Sequence, residues 1–134
     1  MSPIERVFTD KAPKPLPQFS QAVKYNGLVY CSGNIGFDPA TFTLVEGGVK
    51  EQTRRALQNL SAVLEEAGSG FSNTLKVNIF LTTMDNFAAM NEAWDEFFTM
   101  DVKPCRTCVA VYQLPFSALV EIECTAFLNS GSKL

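Results

Sequence analysis

KPCRTCVAVYQLPFSALVEIECTAFL, residues 103–128, reads as two apolar strands joined by a turn. Its first half carries Arg106 and its second half the alternating Glu121 and Glu123, in a segment otherwise rich in Val, Ile, Phe, Ala and Cys. Side chains alternate across a strand, so Arg106, Cys108, Ala110 and Tyr112 share one face, and Glu121 and Glu123 share one face of the return strand. With Cys108 opposite Glu121, Arg106 falls opposite Glu123 on the same side. A slip of one residue sets it opposite Ile122 or Cys124 instead. A buried guanidinium needs partners, which favours the first register. Two readings of this polar group follow. One is a structural ion pair, since such networks also perturb ionisation without being active sites. The other is a site for a small carboxylate, which a planar arginine fork matches and beside which a glutamate can hold and deprotonate a water.

Working outward, residues 19–25 (FSQAVKY) and 28–33 (LVYCSG) flank Asn26-Gly27. Asn-Gly between apolar runs is the strongest short hairpin signal, because both turn residues take positive φ. A short strand is expected at residues 5–8, before a segment whose prolines forbid regular pairing. Residues 49–67 repeat apolar side chains at steps of three and four (Ala56, Leu57, Leu60, Val63, Leu64, Ala67) and meet Gly68, which predicts a closed amphipathic helix. Residues 75–82 (LKVNIFLT) read as a buried strand, and Asp85 as the N-cap of a second helix striped with Phe87, Met90, Trp94, Phe97 and Phe98. The order is therefore β-β-β-α-β-α-β-β. Two helices cover one face of such a sheet, yet several strands are apolar on both sides of the pleat, so the other face is expected to be covered by further subunits.

The 134 residues make one domain, residues 1–134, long enough for a proper core. A net charge of −3 and the lack of clustered Lys and Arg argue against a nucleic-acid surface. No apolar run reaches the ~18 residues of a membrane span. The start, MSPIERVFTDKAPKPLP, lacks the pattern of a secretory or organelle leader, so a cytoplasmic location is expected. The chain has no histidine, which excludes Ser-His-Asp and Cys-His catalysis and imidazole zinc sites. Cys105 and Cys108 form a lone C-x-x-C without a second pair, and Cys31 and Cys124 complete the set. Reduced, structural cysteines and no metal are the expectation.

The segments taken together resemble the RidA (YjgF-like) family of enamine/imine deaminases, over about residues 13–128. The most specific match is KPCRTCVAVYQLPFSALVEIECTAF, with its Arg, small residue, Cys, apolar run, Leu-Pro and Glu-x-Glu. Supporting it are FSQAVKYNGLVYCSGNIG, QTRRALQNLSAVLEEAGSG and LKVNIFLTTMDNFAAMNEAWDEFF, in the right order. The resemblance implies a chorismate-mutase-like α+β fold: a six-stranded mixed sheet with two helices on one face, assembled as a homotrimer whose sheets form a central barrel. It also implies sites at subunit interfaces and cofactor-free hydrolysis of 2-imino acids, such as 2-iminopropanoate and 2-iminobutanoate, to 2-oxo acids and ammonia. Arg106 then matches the arginine that binds the substrate carboxylate. Glu121 matches the glutamate that activates water, and Cys108 a site cysteine whose backbone carbonyl helps position it. Ser32 and Gly33 match a strand end whose backbone N–H meets the carboxylate, and Asn91 an asparagine of the second helix near the site.

One departure concerns Phe19, which stands where the family often has a tyrosine reaching into the site; it keeps an apolar wall and loses a hydroxyl worth on the order of 1 kcal/mol. Cys105 stands where alanine is frequent. The competing readings are a non-catalytic binding module on the same fold and a paralogue for a different imine, with altered walls at Phe19, Ile35 and Phe37. Ribonuclease activity finds no histidine and no basic stripe to support it.

Overall fold

The protein is described here from a computed structural model, over residues 3–130. The expected loose tail at residues 129–134 therefore lies, from residue 131 on, outside the described residues. The chain runs β1 (Glu5–Val7), β2 (Ala22–Tyr25), β3 (Leu28–Asn34), β4 (Phe37–Asp38), β5 (Thr43–Leu44), α1 (Gly48–Ala67), β6 (Thr74–Leu81), α2 (Phe87–Phe97), β7 (Cys105–Ala110) and β8 (Val120–Phe127). Apart from the small β4–β5 hairpin inside the loop before α1, this is the order read from the sequence. Asn26 and Gly27 take φ of 55° and 82°, the positive pair that a two-residue turn between β2 and β3 requires.

Six strands form one sheet in the order β1-β2-β3-β8-β6-β7. All neighbours are antiparallel except β6 and β7, which run parallel and are linked through α2. The sheet is therefore mixed, and the two helices lie on one face. From α1, Leu57, Leu60, Val63 and Leu64 are fully buried, and beneath lie Val77, Ile79, Leu81, Val120 and Ile122. Each such side chain contributes roughly 1.5–3 kcal/mol by leaving water. α2 packs beside α1, held on its outer side by Arg54, whose Nε and Nη2 donate to the two carboxylate oxygens of Glu96 at 2.8 and 2.6 Å. Lys50 reaches Glu92 at 3.0 Å. These contacts fix the rotation of α2 and so aim its other side.

Three expectations are corrected. Residues 103–128 are not a hairpin: β7 and β8 are separated by β6, which pairs with both. The alternating Val77, Ile79 and Leu81 make β6 the better-buried partner, and the connection between β7 and β8 is too irregular for a tight turn, with a 3-10 turn at Pro115–Ser117. Asp85 is not the N-cap of α2. It sits in a 3-10 turn, Met84–Asn86, capped by Thr83, whose hydroxyl accepts from the Asp85 N–H at 3.1 Å. In the helical stripe, Met90, Trp94 and Phe98 are buried, whereas Phe87 stays at the surface.

The face away from the helices carries Tyr30, Phe80, Val109 and Phe127 among Lys76, Asn78, Thr107, Glu121, Glu123 and Thr125. Tyr30, Val109 and Phe127 are exposed. Among the described residues no helix is long and apolar enough to cross a membrane.

Candidate functional site

Register assigns every polar residue of the opening stretch to a face. On the helix side one row runs Arg106, Val77, Cys124, Cys31, Ala22 and Val7 across all six strands. The next holds Cys108, Ile79 and Ile122. On the open side, Thr107, Asn78 and Glu123 form one row, and Val109, Phe80 and Glu121 another. Arg106 and the glutamates therefore lie on opposite faces, and the register that paired them is overturned. The cause is the parallel pairing of β7 with an intervening strand, which a hairpin argument does not contain.

Arg106 sits on edge strand β7, under α2. Its Nη1 donates to Oδ1 of Asn91 at 2.7 Å, and its guanidinium carbon lies 4.8 Å from the Trp94 ring centre and 5.6 Å from that of Phe87. Cation–π contact of this kind stabilises a guanidinium without neutralising it. Trp94 is itself braced by Phe98, stacked at 3.7 Å. Among the described residues Arg106 has no carboxylate within ion-pair distance, so the structural ion-pair reading fails. Asn91, on α2, is thus the hydrogen-bond partner of the arginine. Cys108 shares this face two residues along; burial pushes its thiol up, against the opposing pull of Arg106, so it stays protonated at neutral pH.

The second group lines a pocket of about 230 Å³ that contains Phe19, Ser32, Gly33, Ile35, Phe37 and Glu121. Glu121 is half-buried, and burial first, then the neighbouring Glu123, raises its pKa above the ordinary glutamate value. Asn78 donates to Glu123 at 3.0 Å, whereas no donor reaches the Glu121 carboxylate among the described residues. The absence of a side chain at Gly33 makes room for that carboxylate. Ser32 is committed to the scaffold: its N–H donates to the Gln21 carbonyl at 2.9 Å and its hydroxyl to the Ser20 carbonyl at 2.6 Å. Of the two proposed anion-binding amides, that of Ser32 is thus spoken for. Both bonds hold the stretch that presents Phe19, which is half-exposed at the pocket wall.

Sequence reasoning missed three contributors. Asn59, fully buried in α1, donates to the Phe37 carbonyl at 2.9 Å and accepts from Arg55 Nε and Nη2 at 3.1 and 2.9 Å, fixing the pocket wall. A polar residue inside an apolar helical stripe was the available signal. Phe42 and Phe116 also line the pocket. Both come from turns, where no periodicity marks them. Cys105 is exposed and Cys108 half-buried on the opposite face of β7, so this C-x-x-C does not converge. No cluster able to hold a metal occurs among the described residues.

Residues 9–128 match the family described as endoribonuclease L-PSP. A RutC family protein of Drosophila melanogaster is 44% identical over 132 residues, covering 97% of this chain and 95% of that protein. A 2-iminobutanoate/2-iminopropanoate deaminase of Dermatophagoides farinae is 40% identical over 123 residues, covering 92% and 95%. The crystal structure of RidA from an Antarctic Psychrobacter superposes with a TM-score of 0.88 at 38% identity, covering 92% of this chain and 99% of that one.

Proposed function

From a chain that belongs to the endoribonuclease L-PSP (YjgF/RutC/RidA) family, we propose that the activity is hydrolysis of 2-imino acids, such as 2-iminopropanoate and 2-iminobutanoate, to 2-oxo acids and ammonia. One observation carries this reading. Among the described residues, a guanidinium with no carboxylate partner and a carboxylate that accepts no hydrogen bond stand on opposite sides of one sheet. Asn91, Trp94 and Phe87 hold the guanidinium in place without supplying a counter-charge, and we read each group as half of an anion-plus-water site. A second copy, presenting its edge strand β7 to the pocket beside Glu121, completes the pair. The two-sided sheet and its exposed apolar residues support such assembly, as a homotrimer with sites between subunits.

The chemistry asks little more. C2 of an imino acid is electrophilic, most of all when its nitrogen is protonated. Arg106 and the Gly33 amide fix the carboxylate, which orients C2 toward a water. Glu121, its basicity raised by burial, takes a proton from that water as oxygen bonds to C2, with the Cys108 carbonyl helping to position it. Glu121 passes that proton to nitrogen, giving a carbinolamine; it then takes the hydroxyl proton as C=O forms and delivers it to nitrogen as the C–N bond breaks, so ammonia leaves a 2-oxo acid. Water and imine account for every atom. The Cys108 thiol forms no covalent intermediate. A net charge of −3 and the lack of histidine give no support to the ribonuclease named in the family's description.

The direct test is turnover of freshly generated 2-iminobutanoate by the protein and by Arg106→Ala. Loss of at least a hundredfold, with assembly unchanged by size-exclusion chromatography, is the expected result. Unchanged turnover overturns the reading.

A further inference from the structure

We infer that, among 2-imino acids, this pocket selects those with a large apolar side chain, of the leucine or phenylalanine kind, over the one- and two-carbon side chains of 2-iminopropanoate and 2-iminobutanoate. The inference rests on the proposed imine hydrolysis and adds to it a substrate class.

The pocket has two unlike ends. Around Gly33 and Glu121 it is polar and narrow enough that a single Cβ at position 33 would collide with the carboxylate. Elsewhere the lining is mostly apolar, from Pro13, Pro15, Leu16, Ile35 and Pro115 beside Lys14, and it includes a cluster of rings. Phe37 meets Phe42 edge-on with centres 4.8 Å apart, and Phe116 at 4.9 Å; Phe42 and Phe116 meet at 6.2 Å. Phe19 adds a fourth ring to the lining. The pocket is an open cleft of about 230 Å³. The three-carbon skeleton of 2-iminopropanoate leaves the aromatic end empty. An isobutyl or benzyl group fills it and removes apolar surface from water on both partners.

The backbone reinforces the point. Phe42 and Phe116 take φ of 57° and 59°, in the left-handed region that bulky side chains rarely enter. Both lie on turns outside the six-stranded sheet, one between β4 and β5 and the other before β8. Their rings stay largely exposed although apolar, at 42% and 61%. Two independent strained positions that converge on one pocket mouth are the pattern of a ligand clamp rather than of a core.

The test compares kcat/KM for imines generated in place from alanine, leucine and phenylalanine. The leucine-derived imine should be hydrolysed at least about tenfold more efficiently than 2-iminopropanoate, the scale of discrimination that a few methylenes provide in an apolar pocket. Phe42→Ala/Phe116→Ala should shrink that ratio at least fivefold. Equal or lower efficiency on the leucine-derived imine overturns the inference while imine hydrolysis stands. So does a double variant that dissociates the assembly and slows all substrates alike, which would make the rings a subunit contact. If no imine is hydrolysed, the functional reading fails instead, and calorimetric binding of 2-oxo acids decides the pocket's preference. Binding of 4-methyl-2-oxopentanoate tenfold tighter than pyruvate then supports it, and equal binding overturns it.

Discussion

A Cβ placed on Gly33 would stand 2.6 Å from Oε2 of Glu121. The obstructing atoms, back to Cγ at 2.9 Å, all belong to the Glu121 side chain, so that side chain and not the backbone has to swing aside. Gly33→Ala is therefore expected to keep its stability within about 1 kcal/mol, as substitutions away from packed cores do, while kcat falls at least tenfold. Thermal denaturation and steady-state turnover, measured on the same sample, check both halves.

If Arg106 serves a pocket on another copy, two dead chains can repair each other. Arg106→Ala and Glu121→Ala should each be inactive alone. Unfolded together and refolded as a mixture, they should regain activity at about one interface in four, where an intact arginine meets an intact glutamate. Continued inactivity of a mixture shown to be assembled would place both residues in one subunit's site, against the faces that register assigns them.

The raised pKa of Glu121 has a sign. Its folded value exceeds its unfolded one, so the native state holds more protons than the unfolded state between the ordinary glutamate range and that raised value. This group's contribution to stability thus grows as pH falls through the window, and its ionised form burdens the fold above it. Glu121→Gln should be more stable than the parent at pH 7, with the gain fading in acid. In turnover, Glu123→Gln should move the acid limb of kcat/KM down by removing the neighbouring charge. Denaturation and rate profiles across pH read the two effects separately.

Asn59→Leu removes the donor that the Phe37 carbonyl uses and the acceptor that Arg55 uses. Stranding a buried carbonyl costs about 1–3 kcal/mol. Asn59→Asp keeps the Arg55 contact yet still leaves Phe37 without its donor. Both variants should raise KM more than they lower kcat, since the wall moves and Glu121 does not.

Cys31 and Cys124 face each other across β3 and β8, and both are buried. A hydrogen bond between them, then burial, pushes the Cys31 thiol far up. Neither should react with a thiol reagent until the protein unfolds. Titration before and after denaturant measures the difference.

The sequence carried the order of elements because each has a local cause: Asn26-Gly27 for the first hairpin, the three-four spacing of Leu57, Leu60 and Leu64 for α1, the alternation of Val77, Ile79 and Leu81 for β6. It also singled out Arg106, Asn91, Gly33 and Glu121. What it could not yield was the neighbourhood of strands far apart along the chain. Nothing local in residues 103–128 announces that β6 slides between β7 and β8, and that single insertion carries Arg106 to the opposite face from Glu121. Asp85 misled for a related reason: it is a good cap residue one position before Asn86, which opens α2, and lies inside a 3-10 turn that Thr83 caps. Phe42 and Phe116 escaped because turns hold rings together without a period.

Two rings of the cluster, Phe42 and Phe116, hang on turns, while Gly33 and Glu121 are anchored in the sheet. Descendants of this gene can therefore retool what they accept by exchanging short turns, leaving the reactive end untouched. Divergence of diet without divergence of chemistry is built into the way the chain is folded.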